Sequence, residues 1–63
     1  MNKLLYTPTE AADLLGVSRS TLYELLRAGE IASVRIGRSR RVPATALIAY
    51  VDRLAEYAGR DAA

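Results

Sequence analysis

The pattern of apolar and polar positions along the chain changes period twice. From Thr7 to Leu15, apolar residues fall at Ala11, Ala12, Leu14 and Leu15, which suits one side of a short helix. Thr7 stands at the N-cap, Pro8 at the first helical position and Glu10 three residues after the threonine. That spacing predicts a capping box, in which hydroxyl and carboxylate each accept a backbone N–H that the helix leaves unpaired. Gly16 is placed to end the helix. Ser18 then caps a second helix over Arg19–Ala28, with Val17 leading in and Gly29 as the stop. Its stripe is Leu22, Leu25 and Leu26, at i, i+3 and i+4. So brief a connection cannot fold two helices back as a parallel-sided hairpin. It makes them cross steeply, as in a helix-turn-helix.

Over residues 31–42 the period becomes two. Ser33-Val34-Arg35-Ile36 alternates, Gly37-Arg38-Ser39 reads as a turn, and Arg40-Arg41-Val42 returns, ended by Pro43. Val34, Ile36 and Val42 are expected to face the core, Arg35 and Arg41 to face out, and Arg38 and Arg40 to lie at or near the tip. A third helix is expected from about Pro43 to Tyr57 or Ala58, with Leu47, Tyr50, Val51 and Leu54 as its apolar stripe. Gly59 is its expected stop. The fold class is therefore mainly α with a small β-hairpin: one domain over residues 1–58 and a flexible tail over 59–63.

Composition narrows the chemistry. With 63 residues there is one small domain and no room for a two-domain cleft. Neither Cys nor His occurs, which removes disulfides, thiolate metal sites and the commonest general base. No carboxylate pair stands out for acid–base or metal chemistry, so no catalytic residue, metal or cofactor is expected. No apolar run is long enough to span a membrane, and the first eight residues are too short and polar for a signal peptide. A soluble cytoplasmic protein is the expectation.

The net charge of +2 hides an uneven distribution. Residues 1–30 carry Lys3, Arg19 and Arg27 against Glu10, Asp13, Glu24 and Glu30, a net of −1. Residues 31–51 carry Arg35, Arg38, Arg40 and Arg41 and no acid, a net of +4. Residues 52–63 return to −1. The basic excess is confined to the expected hairpin, where it forms a candidate footprint for a polyanion.

Double-stranded DNA fits both elements. In a helix-turn-helix the second helix enters the major groove, its N-terminal residues toward the base edges. The candidates there are Ser18, Arg19, Ser20, Thr21, Tyr23, Glu24 and Arg27. Arginine can bridge guanine O6 and N7, and Ser or Thr can reach base or phosphate. A basic hairpin directly after that helix is a wing. Its candidates are Arg35, Arg38, Ser39, Arg40 and Arg41, placed to reach the adjacent minor groove or backbone.

The residues also carry a family resemblance. Leu5-Tyr6-Thr7-Pro8-Thr9-Glu10-Ala11-Ala12-Asp13-Leu14-Leu15-Gly16-Val17-Ser18-Arg19-Ser20-Thr21-Leu22-Tyr23, Arg27-Ala28-Gly29-Glu30-Ile31 and Val34-Arg35-Ile36-Gly37-Arg38-Ser39-Arg40-Arg41-Val42-Pro43 together resemble the small winged helix-turn-helix proteins of the excisionase family, a branch of the MerR-like DNA-binding domains. The resemblance covers residues 5–54. It implies that Ala12, Gly16, Leu22 and Leu25 are structural, the first two being small where the helices meet. It further implies a protein that binds repeated sites beside an attachment site, bends the DNA and helps an integrase run toward excision, with no bond made or broken by itself. Cooperative self-association on DNA is part of that expectation, and a small-molecule ligand is not. A stand-alone transcription regulator using the same contacts is the alternative, and a protein-interaction module using the wing and third helix is a third reading.

Overall fold

The computed structural model describes the backbone of residues 2–62 and the side chains of residues 2–59. In chain order the elements are β1 (Leu5–Tyr6), α1 (Pro8–Leu15), α2 (Arg19–Arg27), β2 (Val34–Ile36), β3 (Ser39–Pro43) and α3 (Ala44–Ala62). Three helices therefore accompany one small antiparallel sheet of strand order β1-β3-β2.

The punctuation of α1 follows its local sequence. The Glu10 N–H donates to Thr7 Oγ1 at 3.1 Å, and the Thr7 N–H donates to Glu10 Oε1 at 2.9 Å, which completes the capping box. Gly16 takes a left-handed φ of +74°. The Gly16 N–H then reaches the Asp13 carbonyl at 3.2 Å and the Val17 N–H reaches the Ala12 carbonyl at 3.0 Å, satisfying groups the helix end leaves orphaned. The expected packing reason for Gly16 is corrected here. A Cβ at this position would meet nothing within 4 Å, so the backbone angle, and not a close helix approach, calls for glycine. At α2 the Thr21 N–H donates to Ser18 Oγ at 3.1 Å. The far end closes with the Glu30 N–H on the Leu25 carbonyl at 2.9 Å.

The core consists of Tyr6, Ala11, Ala12, Leu22, Leu26, Ile31, Val42 and Leu47, with Leu15, Val17, Leu25 and Tyr50 packed at its margin. Ala11 and Ala12 are the buried residues of α1, and Leu22 and Leu26 those of α2. Full burial of a leucine such as Leu22 contributes about 1.5–3 kcal/mol. Among the described residues no polar or charged residue is buried.

Four expectations change. First, Leu5 and Tyr6 form a strand that the sequence pattern did not mark. They pair with Pro43 and Val42 across the sheet. The Ala44 N–H extends this tie to the Leu4 carbonyl at 2.8 Å.

Second, the hairpin loop has two residues, Gly37 and Arg38, and Ser39 belongs to β3 opposite Ile36. Gly37 has φ +62° and Arg38 has none of the positive φ that would need glycine, the pattern of a type II′ turn. The register pairs Val34 with Arg41 and Arg35 with Arg40. Residues directly opposite share a face, and neighbours along a strand alternate. Val42 is buried, so its face carries Arg40 and Arg35, while Val34 and Ile36 lie with Arg41 on the other. Val34 and Ile36 are accordingly exposed, at 43% and 59%, and are not core residues.

Third, the apolar stripe of α3 is buried only at its start. Leu47 is 2% exposed and Tyr50 is half-buried, whereas Val51 and Leu54 are 46% and 51% exposed. Fourth, Gly59 does not stop α3, which continues through it to Ala62. Of the expected tail, Ala63 lies outside the described residues. Arg53 ties α3 to the end of the helix-turn-helix by donating to the Glu30 carbonyl, and its guanidinium carbon lies 6.0 Å from the Tyr50 ring centre.

Candidate nucleic-acid interface

The first half of the candidate interface is the outward side of α2. Leu22 and Leu26 anchor the helix to the core, and a helical period then turns Arg19, Ser20, Tyr23, Glu24 and Arg27 to solvent. All of these residues are exposed, as are Ser18 and Thr21. The last two have local work. Ser18 Oγ accepts the Thr21 N–H and donates to Thr21 Oγ1 at 2.9 Å, so both hydroxyls are engaged in the cap. The first N–H groups of an α-helix have no intrahelical acceptor. Those of Arg19 and Ser20 are therefore the ones an anion at this helix end would meet.

The second half is the hairpin. Arg35, Arg38 and Ser39 are exposed, and Arg40 and Arg41 are half-buried. The expected layout of these side chains changes with the register. Arg35 and Arg40 stand directly opposite each other, Arg41 lies on the other face, and Arg38 occupies the turn. Like charges directly opposite on a sheet repel. The arrangement is held locally by other means: Arg40 Nε donates to Ser33 Oγ at 3.1 Å, and an Arg41 terminal nitrogen donates to the Arg40 carbonyl at 2.9 Å. Ser33 was not singled out by the sequence. Its spacing of seven residues from Arg40 becomes meaningful only once the hairpin register is known.

A third feature is a groove of about 340 Å³ between α1 and α3, lined by Leu14, Leu15, Leu47, Ile48, Val51 and Asp52. Its wall is almost wholly apolar and it carries no acid–base pair. Among the described residues no group of three or more Asp or Glu side chains comes together to hold a metal ion. Among the described residues Glu10 has a displaced pKa, lowered from 4.5 to about 2. The main cause is Lys3, whose ammonium lies 2.6 Å from Glu10 Oε2, followed by the Thr7 N–H. This is the α1 cap, and it explains the shift structurally. Among the described residues no helix is long and apolar enough to cross a membrane.

Comparison with known families matches residues 5–55 to the helix-turn-helix domain. The chain belongs to the helix-turn-helix domain family. The matched helix-turn-helix stretch runs from β1 into α3 and so takes in the hairpin as well as the two crossing helices. A "Probable excisionase" of Saccharopolyspora erythraea is 53% identical over 53 residues, covering 84% of this chain and 54% of that protein. A "Putative antitoxin VapB50" of Mycobacterium tuberculosis is 51% identical over 47 residues, covering 75% of this chain and 36% of that protein. A "Putative DNA-binding protein" of the same species is 49% identical over 43 residues, covering 68% of this chain and 55% of that protein. This helix-turn-helix chain thus spans about half the length, or less, of these curated relatives. No solved structure matches it significantly.

Proposed function

We propose that this chain is a sequence-specific reader of double-stranded DNA, with α2 in the major groove and the β2–β3 hairpin acting as a wing on the neighbouring minor groove or backbone. The observation that carries this reading is the division of α2. Leu22 and Leu26 are buried, while Arg19, Ser20, Tyr23 and Arg27 are presented together on the open side of a helix-turn-helix. Arg19 and Tyr23 lie one turn apart and suit contact with base edges. Arg27 at the far end, and Arg35, Arg38, Arg40 and Arg41 on the hairpin, suit phosphates.

Within that reading the chain acts as an excisionase, binding and bending DNA beside an attachment site so that an integrase runs toward excision. The similarity to the excisionase-named relative supports this role, as does the basic hairpin that directly follows α2. Excision then depends on DNA shape: the protein holds a bend, and the integrase makes and breaks the phosphodiester bonds. Copies loading side by side on repeated sites would add their bends. The deciding experiment is footprinting across a candidate attachment region, joined to an excision assay with and without the protein. Protection of repeats and dependence of excision on the protein are expected. Protection with no effect on excision refutes the recombination role.

The second reading is a small transcription regulator. The similarity to an antitoxin-named and a DNA-binding-named relative favours it. A protected operator within a promoter, far from any attachment site, would decide for it.

A further inference from the structure

The four hairpin arginines do not account for the hairpin's most exposed apolar residue. Ile36 is the last residue of β2, immediately before the Gly37-Arg38 turn, and 59% of its surface is open. Val34, two residues back on the same face, is also exposed. Together they make a short apolar ridge that ends at the tip. Strand propensity alone would be met by threonine, at no cost in exposed apolar surface. The ridge is instead set among cations: Arg41 shares its face, Arg35 and Arg40 lie on the reverse, and Arg38 is in the turn beside it. Gly37 adds no side chain to the leading edge.

We propose that Ile36 is a wedge that enters the minor groove and presses between base pairs, making the hairpin tip the element that kinks the duplex. The inference rests on the DNA-binding reading of the hairpin and names what that reading leaves open, the source of the bend. One observation and two general properties of DNA point to a duplex as the occupant. The ridge is surrounded by arginines and by no acid of the hairpin, which complements a polyanion. A narrow minor groove concentrates negative potential and draws arginine in. Apolar wedges, isoleucine among them, are the side chains that unstack base steps from that groove and kink DNA by roughly 20–90°. Val34 would follow Ile36 against the sugar edges, while Arg35, Arg38, Arg40 and Arg41 hold the phosphates on either side. Pyrimidine–purine steps, which unstack most readily, are the steps such a wedge would choose.

The test uses the whole chain and a duplex selected by it from a random library. End-to-end energy transfer reports the bend, and 2-aminopurine placed beside TA or CA steps reports unstacking. Ile36→Thr keeps the β-branched shape suited to a strand but replaces the apolar tip with a hydroxyl. Ile36→Leu keeps the tip apolar. Expected are loss of most of the bend and of the 2-aminopurine signal in Ile36→Thr, retention of both in Ile36→Leu, and an unchanged salt dependence of binding in both. Equal bends in wild type and Ile36→Thr overturn the proposal. So does a wild-type chain that self-associates without DNA and loses that association in Ile36→Thr, because the ridge then faces a second copy. Failure of the wild type to bind any selected duplex overturns the DNA reading itself. Binding without a bend overturns the wedge alone. Circular dichroism on each variant verifies the fold, and should Ile36→Thr lose it, loss of the bend in Ile36→Ser with the fold intact supports the wedge, whereas retention of the bend overturns it.

Discussion

Replacing Arg38 with alanine isolates one phosphate contact from everything else the hairpin does. Arg38 is exposed in a two-residue turn, so its substitution is expected to change stability by no more than about 0.5 kcal/mol. The two candidate elements together present Arg19, Arg27, Arg35, Arg38, Arg40 and Arg41. If the five assigned to phosphates, Arg27, Arg35, Arg38, Arg40 and Arg41, each neutralise one, the slope of log K against log salt is about −4.5, and affinity falls roughly 500-fold between about 50 and 200 mM. Arg38→Ala removes about 0.9 from that slope, so its deficit relative to wild type shrinks about 3.5-fold over the same range. Fluorescence anisotropy with an end-labelled duplex at several salt concentrations measures both slopes. A wild-type slope in the variant removes Arg38 from the phosphate contacts, whatever its effect on affinity at any one salt concentration. Arg40 is a less clean probe, because its truncation also deletes the bond to Ser33 that steadies the hairpin.

Other outcomes follow from burial and from the cap. Leu22→Ala is expected to cost about 2–5 kcal/mol, a large share of the roughly 3–9 kcal/mol available to a domain of this size, whereas Leu54→Ala, at a half-exposed position, should stay within about 0.5 kcal/mol; urea unfolding of the pair that reversed this order would contradict the core assignment. The Glu10 carboxylate is favoured in the folded state, so its stabilisation is complete above the ordinary value of 4.5 and is lost as pH falls toward about 2. Thermal unfolding of wild type and Glu10→Gln across that window should converge at the acid end, and a constant difference would deny the Lys3 and Thr7 contacts their role. Arg19→Ala and Tyr23→Ala should alter sequence preference in a binding-site selection, while Arg38→Ala leaves the selected sequence as it is; recovery of the wild-type motif with both α2 variants would take Arg19 and Tyr23 off the base edges.

What was legible in the sequence was local. Thr7, Pro8 and Glu10 announce the start of α1, and Gly16 and Ser18 announce the turn, because each acts on groups within four residues of itself. The exposure of Arg19, Ser20, Tyr23 and Arg27 follows equally from the Leu22–Leu26 spacing. What was not legible depended on distant partners. Two residues cannot display a period, so β1 is invisible until Val42 and Pro43 are beside it. Alternation shows that Val34 and Ile36 share a face, but the length of the turn decides which face, and counting Ser39 into the loop turns them inward. The stripe from Leu47 to Leu54 was correctly periodic. Periodicity does not say how far along α3 the body beneath it extends.

The pairing of β1 with β3 also bears on the order in which the molecule can assemble. With 8 and 9 residues, α1 and α2 are shorter than helices that persist alone in water. Tyr6 is covered only when Val42 arrives, 36 positions later in synthesis. A chain emerging from the ribosome therefore holds its two crossing helices as fleeting structure until β3 has been made. Closure of β1 onto β3 then bridges a long stretch of chain and covers Tyr6, with Leu47 of α3 docking after it. Folding is thus coupled from end to end, and no fragment that stops before Val42 retains a stable α2 surface.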